Sequence, residues 1–156
     1  MVQLNEIAKE SIPGVFHMRS WGLTIPENIL DELMVQASKN SNRKARLCLH
    51  PSPDDETQVT YLAFVAPYQD RIHKHATKPE ILIPILGQAM FHNYGEDGKL
   101  KYSSSMNAAK PIAITVPNNC WHSVEVISDY FIMMEVGKGP FTNKSTEYNT
   151  EILKSK

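Results

Sequence analysis

The chain has 156 residues with 17 acidic and 16 basic side chains, a formal net charge of −1 at neutral pH. That balance gives no electrostatic case for nucleic acid or an anionic membrane surface, and no apolar run is long enough to cross a bilayer. The length suits one domain with a core that needs no staples. The opening M-V-Q-L-N-E-I-A-K-E lacks the basic and apolar parts of an export signal, so a cytoplasmic location is expected, with Cys48 and Cys120 as reduced thiols.

Residues 1–23 carry few periodic signals. Pro13-Gly14 marks a turn, and Val15, Phe16 and Trp21 offer apolar anchors, so the segment reads as a lead-in that can add a strand. Thr24 with Glu27 three residues on resembles a capping box, and Pro26 fits a first turn. Ile29, Leu30, Leu33, Met34 and Ala37 then repeat at helical spacing, which predicts one amphipathic helix over residues 26–39. Its apolar stripe is expected to cover the strands C-terminal to it or a sister subunit. Residues 1–44 are thus a lead-in and a helix packed on those strands, with K-N-S-N-R-K as the connector.

From residue 45 the pattern changes to strands. In residues 45–50, Leu47 and Leu49 alternate with Arg46, Cys48 and His50. The turn P-S-P-D-D-E comes next, then a strand over residues 57–66 rich in Val, Thr, Tyr and Phe, closed by Pro67. Further strands are expected at 72–75 and 80–86, with Pro84 suggesting an edge or bulge, and Gly87 turning the chain into a strand at 88–93. Asp97-Gly98 signals a hairpin loop. Residues 101–110 are polar and read as loop, and strands are expected again at 112–116, 121–127 and 130–136. Residues 142–156 form a polar tail, expected to fray unless it docks on a partner. Many short strands separated by turn signals favour a sandwich or barrel.

The chemistry concentrates in I-H-K-H-A-T-K-P-E-I-L-I-P-I-L-G and in P-N-N-C-W-H. His73 and His75 lie two apart, which on a strand puts both imidazoles on one face, and Glu80 comes at the next bend. With His122 the set is three imidazoles and one carboxylate, donors that suit zinc, iron, manganese or nickel without selecting among them. The spacing H-x-H, four residues, Glu, six residues, Gly, then Pro-x-x-x-Trp-His resembles the paired motifs of the cupin superfamily. That resemblance implies an all-β fold with one N-terminal helix, a double-stranded β-helix or jelly-roll barrel over residues 45–141. It also implies one divalent first-row ion held by His73, His75, Glu80 and His122.

A closer resemblance rests on K-A-R-L-C-L-H-P-S-P-D-D from Lys44 to Asp55, Lys78 and Glu80 after the H-x-H, Trp121-His122, and E-V-G-K-G-P-F from Glu135 to Phe141. These segments resemble the WbuC family of cupin-fold metalloproteins, small bacterial proteins associated with O-antigen and other surface-polysaccharide gene clusters. The chain departs from that pattern at Asn119, where the family has Gly, and at Gly-Lys-Gly-Pro, where it has Lys-Pro-Gly-Pro. Asn tolerates a left-handed turn, so the first change preserves the bend.

The resemblance implies a carbohydrate-like small-molecule ligand and an isomerase, epimerase or lyase in which Glu80 or a metal-activated water takes the proton. A metal-dependent dioxygenase and a ligand-binding metallocupin without catalysis are the alternatives, because one fold hosts many functions. Arg46 and His50 share a parity and can bind the ligand at the barrel mouth, or face solvent while Leu47 and Leu49 fill the core. Lys78 reads as a solvated loop charge, His17 and His92 as ordinary loop and strand histidines, and Trp121 as a packing residue. Barrels of this size commonly pair, so a homodimer is expected, with the leading segment available for exchange.

Overall fold

The computed structural model describes residues 2–110, 112–140, 142 and 145–149. Pro13-Gly14 turns the chain between two short strands, β1 (Ala8–Ile12) and β2 (Val15–Met18), which pair antiparallel after a single helical turn, α1 (Leu4–Ile7). The longer helix, α2, spans Asn28–Lys39, and its stripe Ile29, Leu33 and Ala37 is fully buried. Thr24 does not cap it. The N-cap is Glu27, already in helical conformation and without a side-chain cap, while the Asn28 amide donates to the Val2 carbonyl at 2.7 Å.

Because α2 carries the chain from β2 to β3 (Lys44–Cys48), these two strands run parallel, with Val15 opposite Arg46 and His17 opposite Cys48. The helix stripe packs on Ala45 and Leu47 of β3, on Ala63 of β4 (Thr57–Val65) and on Ile132 of β9 (Trp121–Lys138). The opposite parity of the same strands faces inward. Leu62 and Phe64 of β4 join Phe131 and Met133 of β9 in a second core. Leu82 and Phe91 complete it from β6 (Glu80–Tyr94). One sheet layer thus carries a helix on its outside and closes around a barrel interior.

The remaining strands are β5 (His73–His75), β7 (Leu100–Asn107), β8 (Ile114–Val116) and β10 (Thr146–Tyr148). The sheet runs β1-β2-β3-β4-β9-β5-β10, while β6 pairs with β7, β8 and β9. Strand β9 joins the layers. One edge runs along β6 from Tyr94↔Trp121 to Glu80↔Gly137, and the other meets β5 at His73↔His122 and then β4. This is the all-β jelly-roll barrel with an N-terminal helix that the cupin resemblance implies.

Several expected boundaries differ. The strands expected at 80–86 and 88–93 are one strand of 15 residues, and those at 121–127 and 130–136 are one of 18. Pro84 sits at a register shift, the bulge expected of it, while Gly87, expected to end the strand, also sits at a shift through which the ladder continues. The polar stretch 101–110 is largely strand β7, paired with β6 from Gln88↔Asn107 to Tyr94↔Leu100. It reads as loop because only Met106 is buried along it. The tail contains β10, paired antiparallel with β5, and its residues 150–156 lie outside the described chain.

Gly87 and Gly22 separate two costs of a side chain at positive φ. Both are left-handed, at +77° and +82°, but a Cβ on Gly87 would lie 2.2 Å from the Tyr130 carbonyl, while one on Gly22 meets nothing. Gly22→Ala is expected to cost about 1–2 kcal/mol from the backbone conformation alone. Gly87→Ala should cost roughly 1–3 kcal/mol more, because backbone must move. Urea unfolding of the two variants checks this, and equal midpoints would contradict it.

Candidate metal centre

Strand β5 places His73 and His75 on alternate positions, and the β5–β9 register sets His73 opposite His122. The turn before His122 is closed by Asn119 at φ +59°, the left-handed bend expected of it, and its N–H donates to the His75 carbonyl at 2.8 Å. As a result, ring nitrogens of His73, His75 and His122 lie within 4.8 Å of one another. Each ring is also held from behind. His73 Nδ1 lies 2.8 Å from the Arg71 carbonyl, His122 Nδ1 2.9 Å from that of Cys120, and His75 Nδ1 3.1 Å from that of Ser145. Donation from Nδ1 to these carbonyls orients the rings and turns each Nε2 toward the centre, where loss of its proton frees the lone pair for an ion.

Glu80, the first residue of β6, is 4% exposed. Its Oε1 lies 3.2 Å from His75 Nε2 and 3.0 Å from Lys78 Nζ, and its Oε2 lies 3.5 Å from His122 Nε2. It therefore touches two of the three imidazoles and stands to one side of the nitrogen triad. Lys78 continues to Glu135 at 2.6 Å. The lysine stem passes where a Cβ on Gly137 would lie 2.4 Å from it, so this glycine opens the path.

Charge is set by these contacts. Burial pushes the Glu80 carboxyl up, but the hydrogen bond from His122 and the charges of Lys78 and His75 outweigh it and hold the group far below the usual carboxylate range. Burial opposes the Lys78 charge, yet Glu135 and Glu80 raise its pKa. His122 is likewise raised by Glu80 against burial. His73 has no such support: burial, then the neighbouring His122, bring it down to about 4. At neutral pH the centre holds an ionised carboxylate and a neutral His73. Backbone-oriented imidazoles beside an ionised carboxylate fit a divalent first-row ion, which His73, His75 and His122 would hold with Glu80 at the side.

The centre lies on the wall of a cavity of about 600 Å³. Arg46 of β3 and His50, two residues past its end, line it too, while Leu47 packs under the helix, so both expected ligand-binding residues lie at the cavity. His50 is 2% exposed, and burial lowers its pKa. Lys44 and Asp70, 3.3 Å apart, and Tyr68, which donates to Asp70, add a further polar cluster on the wall. Trp121 packs as expected, its indole N–H donating to Glu96 at 3.0 Å, and His92 bridges Ser103 and Glu125. Cys48 and Cys120 are free thiols.

Two expectations need correction. Lys78 is a buried ion-pair partner, because two carboxylates wait for it inside the fold, and His17 lies on strand β2 at the cavity wall rather than in a loop. The C-terminal residues are the main group missed. Ser145 and Thr146 hold His75 Nδ1, and Tyr148 lies 6.0 Å from the His73 ring with the Arg71 guanidinium stacked 3.9 Å from its own. The alternation of Thr146 and Tyr148 is the signal that marks this strand.

The lowered pKa of His73 makes stability depend on pH. Between about 4 and the ordinary value of 6.5, unfolded chains protonate His73 while the native state does not, so stability rises with pH across that window. The contribution is roughly 3 kcal/mol. His122, shifted upward, acts in the opposite sense above 6.5. For chelator-treated protein, His73→Gln should flatten the urea-unfolding free energy between pH 4 and 6.5. An unchanged slope would contradict the assignment.

The solved structures this chain resembles share its barrel. It is similar to the capsular polysaccharide assembling protein CapF from Staphylococcus aureus, at 16% identity and a TM-score of 0.61 over 70% of this chain and 32% of that one. It is similar to oxalate oxidase in complex with the substrate analogue glycolate, at 17% identity and a TM-score of 0.57 over 71% and 57%. Oxalate decarboxylase from Bacillus subtilis matches at 16% identity and a TM-score of 0.56 over 72% and 29%. At these identities the likeness establishes the cupin fold, and the chain spans about a third of the length of CapF. No curated protein matches the sequence. The family model DUF6016, a domain of unknown function, matches residues 25–106, from the approach to α2 into β7, and the chain belongs to that family.

Proposed function

We propose that the protein is a metal-dependent cupin of the WbuC type that acts on a small sugar or sugar-derived substrate in surface-polysaccharide metabolism, as an isomerase, epimerase or lyase. The observation that carries this reading is the triad of backbone-oriented imidazoles beside ionised Glu80, on the wall of a cavity that Lys44, Arg46, Asp70 and Glu135 also line. The description of CapF as a capsular polysaccharide assembling protein supports the substrate class. His73, His75 and His122 would hold a divalent ion, which when bound would supply Lewis-acid polarisation of a substrate carbonyl or hydroxyl.

Glu80 accepts the proton. With Lys78 on Oε1 and His122 3.5 Å from Oε2, the proton moves from a substrate carbon to the second lone pair of Oε2 and back to the same or a neighbouring carbon. A carboxylate held so far below its ordinary range is a weak base. That confines it to carbon acids already activated by an adjacent carbonyl. Arg46 and His50, which line the same cavity, bind hydroxyl or anionic groups of the substrate. The reading includes a cytoplasmic homodimer. Among the described residues β1 ends its side of the sheet, with Ile12 63% exposed, which leaves an edge for a second copy.

Two measurements test this. Incubated in D2O with manganese or zinc and a panel of aldoses, ketoses and their uronic acids, the protein should wash deuterium into the carbon beside the carbonyl, seen by proton NMR. Glu80→Gln should slow that exchange at least ~100-fold. Oxygen uptake without deuterium incorporation would replace the reading with an oxidative one, and tight ligand binding with neither would leave a binding protein. Sedimentation equilibrium at micromolar concentration should give twice the chain mass, and a monomer would rule out the dimer.

A further inference from the structure

A second group of metal-type donors lies on the cavity wall and shares no residue with the first. His17 of β2 stands opposite Cys48 of β3 in the parallel register, and His50 comes two residues after Cys48. One donor atom from each of the three lies within 4.8 Å of the others. Cys48 is 6% exposed and His50 2%, while His17 is half-buried. Main chain also orders these rings: the Val59 N–H donates to His50 Nδ1 at 3.1 Å, with the Val59 carbonyl 3.0 Å from the same nitrogen, and His17 Nδ1 lies 3.4 Å from the His50 carbonyl. The two ring planes cross at 83°, with their centroids 5.6 Å apart.

We infer that His17, Cys48 and His50 form a second cation site, a thiolate and two imidazoles selective for a thiophilic divalent ion such as zinc, with its remaining position open to the cavity. Two imidazoles and one thiolate are a donor set zinc takes when it keeps a place for water or ligand. Binding converts Cys48–SH and the free ion into a sulfur–metal bond and releases one proton to solvent, leaving a net charge of +1 at the site. The inference also gives the lead-in segment a chemical task. Without the crossover that α2 makes from β2 to β3, His17 would not reach Cys48.

Cobalt(II) tests the site, because a thiolate ligand gives it a near-ultraviolet charge-transfer band that imidazoles and carboxylates do not. Reduced, metal-stripped protein titrated with cobalt should bind two ions per chain and develop this band. Cys48→Ser and His17→Ala should each lose the band and one ion. His122→Ala should keep the band and lose the other ion, which separates this site from the imidazole triad. His17→Ala removes a half-exposed ring, so it gives the answer even if Cys48→Ser fails to fold. Absence of the band in the native protein, its persistence in Cys48→Ser, or its disappearance in His122→Ala would each overturn the inference.

Discussion

A carboxylate with 4% of its surface exposed must be compensated inside the protein, and the arrangement around Glu80 answers that requirement. Lys78 supplies the charge at 3.0 Å, and Glu135 holds the other side of the ammonium at 2.6 Å. Removing one member of such a group leaves an unpaired buried charge, at a cost of about 3–5 kcal/mol. The chain between the first motif and β6, the start of β6 and the end of β9 are thereby tied at one point. Gly137 belongs to the same constraint, since any side chain there would displace the lysine.

The imidazoles are ordered differently, by backbone rather than charge. Their three Nδ1 partners come from the approach to β5, the turn before β9 and the entry to β10. Three segments distant in sequence thus determine one nitrogen triad. Strand β9 makes this possible by pairing with β5, β4 and β6 along its length, so the register that forms the barrel also sets His122 against His73. Packing and site geometry are consequences of the same ladder.

Much of this is legible in the sequence. The helix is predicted by the spacing of Ile29, Leu33 and Ala37, and the shared face of His73 and His75 by the two-residue strand period. Period cannot show whether Gly87 ends a strand or bends it, because that depends on the partner strand's register. Strand β7 is hidden by the exposure of nearly its whole length, and β10 by its three-residue span in a polar tail. Lys78 looks like any loop lysine until Glu135, 57 positions away, is brought beside it. The pairing of His17 with Cys48 is equally invisible, since it needs the parallel crossover through α2.

The proposed function requires a divalent ion on the three imidazoles beside Glu80. Anomalous diffraction at the metal edge, from crystals grown with manganese or zinc and no chelator, tests it most directly. The account predicts a peak about 2.0–2.2 Å from Nε2 of His73, His75 and His122 together. Density placing the ion on fewer than two of these rings, or no anomalous peak at the triad at saturating metal, would contradict it.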